Sequence, residues 1–215
     1  MVSKGRGSGF LAYPDRLNAF LEEIFAKTRI RISVKTRIGV EDPGEFKRIL
    51  DIYNQYPMEE LIIHPRLQKD FYKNTPNQDV FAEAFISSRN AVCYNGDIFT
   101  GEDCKRFEKR FPEVTSIMIG RGVLADPSLA RQIRGGAGAN KEELKKFHDI
   151  LYREYCQEMS GDRTILYKMK EMWTYMAPLF TNSKKYAKKI KKSEKCAVYE
   201  EVVNELFAEE DVVNG

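Results

Sequence analysis

Four short apolar runs, each stopping at polar residues and each separated from the next by a stretch of helical period, constrain this chain more than any other feature. The runs close at Lys35-Thr36-Arg37-Ile38-Gly39, His64-Pro65-Arg66, Asn95-Gly96-Asp97 and Gly120-Arg121-Gly122. A strand that is followed by a helix and then a second strand rejoins its sheet in parallel, so the alternation implies βαβ units.

The intervening segments carry their own start signals. Pro14-Asp15 opens a helix with Leu17, Phe20, Leu21, Ile24 and Phe25 at inward spacing. Strand character follows over Ile30 to Lys35. Asp42 is placed to cap the next helix, with Pro43 in its first turn and Phe46, Ile49, Leu50 and Tyr53 on its inner face. Leu61-Ile62-Ile63 is a strand too apolar to have a wet face, and Gln78 to Ser88 read as a helix through Val80, Phe81, Ala84 and Phe85. Thr100 and Asp103 form a capping box for a helix that buries Cys104, Phe107 and Phe111. After the strand Ser116 to Ile119, Asp126-Pro127 starts a short helix with Leu129, Ala130 and Ile133 apolar.

Residues 135–140, Gly-Gly-Ala-Gly-Ala-Asn, break this rhythm. No strand leads into them, so they read as a linker rather than a phosphate loop. Beyond them the period is helical throughout: Leu144, Phe147, Leu151 and Tyr155, then Ile165, Leu166, Met169, Met172, Trp173 and Met176, then Val198, Val202, Leu206 and Phe207. The methionine and tryptophan stripe is core packing in this reading.

The net charge of +3 conceals a segregation. From Arg163 to Lys195 there are ten Lys or Arg against two Glu, and from Val198 to Asp211 six acids and no base. The lysines Lys184, Lys185, Lys188, Lys189, Lys191 and Lys192 are expected to form an outer basic surface suited to nucleic acid, although lysine-rich solvated helices also look like this. No run approaches the ~18 apolar residues of a membrane helix, and the first residues lack an apolar signal segment, so the protein is expected to stay in the cytoplasm. The four cysteines, Cys93, Cys104, Cys156 and Cys196, lie far apart, which argues for reduced structural thiols and against a zinc site.

In parallel α/β folds the working side chains sit at the carboxyl ends of the strands. Each run alone could be an ordinary buried strand with a glycine turn; four polar ends at corresponding positions are better explained by a shared site that grips a phosphate or polar ring. The ordered motifs Val34-Lys35-Thr36-Arg37-Ile38-Gly39, Ile63-His64-Pro65-Arg66, Asn95-Gly96-Asp97-Ile98 and Met118-Ile119-Gly120-Arg121-Gly122 resemble those of tRNA-dihydrouridine synthases. The resemblance implies a flavin-dependent TIM barrel with a carboxyl-terminal helical domain that helps hold tRNA. Such enzymes reduce the 5,6 double bond of uridine with FMN as hydride carrier and NADPH as reductant.

Carried over by match, Lys35 would lie beside the flavin ring and His64 near the ring or its side chain. Asn95, Gly96 and Asp97 would bind the ribityl-phosphate arm, and Gly120 and Arg121 the phosphate. Arg66 and Arg37 would serve RNA or structure. The expected layout is α/β: a partial flavin-binding TIM (β/α) barrel of about four βα units over 1–134, the linker 135–140, and a helical tRNA-binding domain over 141–215. A complete barrel has eight such units in typically about 250 residues. The family's Asn-x-Gly-Cys-Pro motif, whose cysteine protonates uridine, is absent from the sequence. The opening Lys4-Gly5-Arg6-Gly7-Ser8-Gly9 resembles the segment that follows that motif, so the chain is expected to begin just after it, and no catalytic cysteine is assigned. Half a barrel would leave sheet edges to be covered by self-association or by the missing half. Two other readings stand beside this one: a non-catalytic RNA-binding or scaffold protein, and a different FMN barrel acting on a small molecule.

Overall fold

The computed structural model describes residues 5–213. The expectations for Met1 to Lys4, including the first residue of the opening motif, and for Asn214 and Gly215 fall outside the described residues. The backbone divides into two compact units, Met1–Asp97 with Glu108–Ile119, and Ile98–Phe107 with Gly120–Gly215.

The first unit is built on strands that alternate with helices. A 3-10 turn, Gly7–Ala12, leads into α1 (Pro14–Lys27), followed by β1 (Ser33–Arg37), α2 (Glu45–Tyr53), β2 (Glu60–His64), α3 (Gln78–Ser87) and β3 (Val92–Tyr94). The sheet runs β1-β2-β3 and is parallel throughout, with Val34 opposite Leu61, and Leu61 opposite Val92. One face carries Thr36, Leu61, Ile63, Val92 and Tyr94, all buried. α2 and α3 cover it: Tyr53 Oη donates to Thr36 Oγ1 at 3.0 Å, and the Phe81 ring meets Tyr94 edge-on at 4.9 Å. The other face carries Lys35, Ile62 and Cys93 in register.

Several expectations shift in detail. β1 spans Ser33–Arg37 rather than Ile30 to Lys35, so Lys35 is mid-strand and Arg37 ends it. α2 begins at Glu45, not at Asp42-Pro43, because Glu45 folds back and its carboxylate accepts from the N–H groups of Val40, Glu41 and Asp42 at 2.9, 2.9 and 2.7 Å. Gly39 makes this possible: its φ is +143°, and a Cβ there would sit 2.9 Å from Glu45 Oε2. Phe20 lies 49% exposed, its ring set edge-on to Phe10, while Leu17 and Leu21 form the buried stripe of α1.

The fourth expected strand is reduced to a single bridge, Tyr94 with Ile117. Tyr94 N donates to Ser116 O at 3.1 Å and Met118 N to Tyr94 O at 2.8 Å. The ladder stops there because a side chain takes the next position: Asn95 Nδ2 donates to Met118 O at 2.7 Å, while Asn95 N pairs back to Ile63 O.

The second unit is helical. α4 (Gly101–Arg110) starts in it, opened by the Thr100–Asp103 capping box with reciprocal bonds of 2.9 and 3.0 Å. α5 (Arg121–Ala125), α6 (Leu129–Ile133), α7 (Lys141–Glu158), α8 (Asp162–Met176), α9 (Ser183–Lys192) and α10 (Cys196–Glu209) follow. α5, which rises directly from Gly120, was not legible in the sequence. The glycine-rich stretch wraps around one side chain: the Arg131 guanidinium donates to Ala137 O, Gly138 O and the Glu143 carboxylate. Carbonyls, not N–H groups, converge in this loop.

The core of the second unit contains Met169, Met172, Trp173 and Met176, as the periodicity implied. In α10 Leu206 and Phe207 are buried as expected and Val202 is partly so, but Tyr199 and Val203 take the inner positions of its first half and Val198 is 46% exposed. The cause is polar. Trp173 Nε1 donates to Tyr199 Oη at 2.7 Å, and that oxygen lies 2.6 Å from His148 Nε2. The Asp149 carboxylate can only accept, so Nδ1 carries the ring hydrogen and donates to it at 2.9 Å, and in the neutral imidazole Nε2 accepts a hydrogen bond from the Tyr199 hydroxyl.

Burial holds the His148 pKa below its usual value, against the pull of Asp149. The unfolded chain therefore binds a proton that the folded unit refuses: stability is full above the unfolded pKa near 6.5 and declines as pH falls toward the folded one. Trp173, the single tryptophan, reports this unit. Its fluorescence should give a lower urea midpoint at about pH 5 than at about pH 7.5. Tyr199→Phe should cost about 1–3 kcal/mol by stranding both partners. Identical midpoints at the two pH values would contradict the assigned protonation.

Candidate functional site

The middle of β1 and the carboxyl ends of β1, β2 and β3 bring Lys35, Arg37, His64, Arg66, Asn95, Gly96 and Asp97 into one unit. At its centre is Arg66, 2% exposed. Its Nη1 donates to Asp97 Oδ1 at 2.8 Å, its Nη2 to Asp97 Oδ2, and its Nε to Asn74 O at 2.5 Å. The guanidinium, for which RNA contact was one of two readings, is thus enclosed by a carboxylate and a backbone carbonyl.

Arg66 Nη1 also lies 3.2 Å from His64 Nε2. A guanidinium has only donors, so Nε2 must accept, and the ring carries its proton on Nδ1. Burial, then Lys35, Arg37 and Arg66, push the His64 pKa down to about 3, with Asp97 opposing. The imidazole is a neutral hydrogen-bond donor rather than an acid at ordinary pH. Lys35 is itself lowered, by partial burial and by Arg37. Among the described residues it has no carboxylate partner.

Arg37 is a loop clamp. Its Nη1 donates to Leu67 O at 2.6 Å and its Nη2 to Phe71 O at 2.9 Å, and its guanidinium lies 5.6 Å from the Tyr72 ring centre. With the Arg66–Asn74 bond, it shapes the whole segment after β2. Nothing in the sequence marked Asn74 or Tyr72, because their roles depend on carbonyl positions set by the loop. Gly96 has a different reason to be glycine: the Tyr94 side chain folds over it, and a Cβ would fall 2.0 Å from Tyr94 Oη.

Gly120 and Arg121 lie in the second unit. Gly120 caps α5, and the Arg121 guanidinium stands 5.2 Å from the Phe99 ring centre.

The basic helix α9 is sorted by its neighbours. Lys189 Nζ binds both oxygens of Glu205 at 2.6 and 2.7 Å, and Lys185 Nζ reaches Glu209 at 3.3 Å. The acids of α10 therefore take up two of the six lysines. Lys184, Lys188, Lys191 and Lys192 are exposed, with no ion pair among the described residues. No group of three or more His, Cys, Asp or Glu is placed to hold a metal ion among the described residues, and no helix is long and apolar enough to cross a membrane.

Parallel strands alternating with helices, with cations and a neutral imidazole at or near their carboxyl ends, define an α/β protein. The chain belongs to the dihydrouridine synthase (Dus) family, whose model matches residues 1–214, as the four motifs implied. It is 27% identical over 190 residues to the tRNA-dihydrouridine(16) synthase of Cupriavidus necator, covering 81% of this chain and 58% of that protein. It is 25% identical to the tRNA-dihydrouridine(16) synthase of Pseudomonas putida, covering 83% and 56%, and 28% identical to a probable tRNA-dihydrouridine synthase of Helicobacter pylori, covering 81% and 53%. The chain thus spans about half the length of the curated relatives it matches.

Asp97→Ala leaves a buried guanidinium unpaired and should cost about 3–5 kcal/mol, whereas Lys35→Ala should stay within about 0.5 kcal/mol. Amide exchange at Leu61 and Ile63 measures both, and equal protection in the two variants would overturn the ranking. In proton NMR, the His64 ring should remain neutral down to about pH 4.

Proposed function

We propose that this chain forms the flavin-side part of a tRNA-dihydrouridine synthase: a partial (β/α) barrel of about four units over 1–134, a linker at 135–140, and a tRNA-binding helical domain over 141–215. The observation that carries this reading is that Lys35, inside β1, and His64, Asn95, Gly96 and Asp97, at or just past the ends of β2 and β3, come together in a chain that belongs to this family. The names of its relatives supply the substrate class, uridine in tRNA. A cytoplasmic location follows from that substrate.

The strand ends suit a phosphorylated flavin. Three cations, Lys35, Arg37 and Arg66, act on His64 against one carboxylate, Asp97, so the natural complement is an anion. FMN, when bound, supplies the hydride for the 5,6 double bond of uridine, with NADPH as its reductant. Lys35 would supply an ammonium to stabilise the negative charge of a bound flavin. His64 would offer its Nδ1–H as a hydrogen-bond donor, and with a pKa pushed down to about 3 it is not a proton donor of the imidazolium kind. Asn95, Gly96 and Asp97 are assigned to the ribityl-phosphate arm, and Gly120 and Arg121 to the phosphate. The target uridine leaves its stack to react.

The chain's cysteines supply no proton to uridine in this reading. Cys93 and Cys104 are buried, and burial pushes the Cys93 thiol up. The acid comes from outside these residues, and the chain alone is inactive. β1 is the edge of the sheet, and its open side takes either the other part of the barrel or a second copy of this chain.

Reconstitution with FMN should leave a yellow protein at near-stoichiometric occupancy after desalting, with occupancy reduced in Lys35→Ala and Arg121→Ala. A colourless protein would count against the cradle. In sedimentation, a sharp monomer that also unfolds cooperatively would remove the edge-pairing claim.

A further inference from the structure

Within the helical unit, α8 and α9 flank a groove of about 780 Å³ lined by Tyr167, Lys170 and Thr174 on one side and Lys184, Ala187 and Lys191 on the other. Tyr167 is 69% exposed. Tyr186 and Ile190 face the core, while Lys185 and Lys189 point to the acids of α10. At roughly 100° per residue, Lys184, Lys188, Lys191 and Lys192 then fall on the opposite quarter of α9. The lysines are divided by the fold into a structural pair and an outward set, and the α9 lysines that border the groove come from the outward set.

We propose that this groove is where the helical unit takes an RNA strand, with one nucleobase stacked on Tyr167 and the adjoining phosphates held by Lys170, Lys184 and Lys191. The inference rests on the tRNA reading above and narrows it to one face. Charge complementarity supports this occupant: three lysines line the groove against one acid, Glu171. An exposed ring between cations matches a strand that alternates π-faces with phosphates. A membrane surface is the poorer fit, because a basic helix binds lipid through an apolar face and that of α9 is already in the core.

The test is fluorescence anisotropy of a labelled tRNA transcript with the full 215-residue chain at two salt concentrations. Tyr167→Ala should weaken binding about 5- to 150-fold with the salt slope unchanged, and Tyr167→Phe should restore it. Lys184→Gln with Lys191→Gln should reduce the slope by about 0.7 for each phosphate no longer neutralised. Lys185→Gln with Lys189→Gln should leave affinity and slope unchanged while lowering the urea midpoint read from Trp173. Unchanged binding in the Tyr167 and Lys184/Lys191 variants, or an equal loss in the Lys185/Lys189 variant, overturns the groove while leaving the tRNA reading intact. Displacement of tRNA by polyglutamate or phosphatidylserine vesicles at equal charge also overturns it. A chain that binds no tRNA at all sinks both the groove and the RNA half of the proposed function, while flavin retention tests the other half separately.

Discussion

The buried pair between Arg66 and Asp97 is the interaction on which the strand-end architecture depends. A guanidinium 2% exposed is tolerable only if its donors are met, and here a carboxylate, a backbone carbonyl and an imidazole nitrogen meet them. Each of those bonds fixes a different piece of backbone. Asp97 anchors the loop after β3 to the loop after β2, Asn74 sets the far side of that second loop, and His64 is locked into one tautomer. Such a pair contributes little net stability compared with packed hydrocarbon. Its effect is positional, because the loops that carry Asn74 and Asp97 must sit where they meet the buried guanidinium's donors.

The same electrostatics explain the character of the open face. On top of burial, Arg37 lowers the pKa of Lys35, Arg66 lowers that of Arg37, and all three cations lower that of His64. Like charges held together in a partly desolvated place repel one another, which gives this face its positive character. In the helical unit the opposite solution is used: the lysines of α9 that face α10 are neutralised there by Glu205 and Glu209. Charges that look alike along the chain thus serve packing on one side and remain exposed on the other.

Much of the fold was legible beforehand. The alternation of apolar runs with helical periods, the proline start of α1, the capping box of α4 and the methionine core of α8 all appeared where expected, because each depends on residues within a turn or two of one another. The polar strand ends were found by the same local logic. The misses share a cause as well. The late start of α2 comes from Glu45 reaching back past a turn, and the shortfall of the fourth strand from Asn95 substituting its side chain for a ladder bond. The burial of Tyr199 in the first half of α10 answers to Trp173 and His148, two and three helices back in the sequence.

The sequence by itself determined the period, the order of the elements and the chemistry at their ends, since these follow from residue type and spacing. Only the tertiary structure decided which charge meets which. Arg66 and Arg37 are equivalent on paper, yet one is sealed against Asp97 and the other clasps loop carbonyls. Of six similar lysines, two are ion-paired and four have no ion pair among the described residues, because α10 packs along one side of α9. Pairing depends on distances between segments remote in the chain, and these exist only once the hydrophobic faces have found each other.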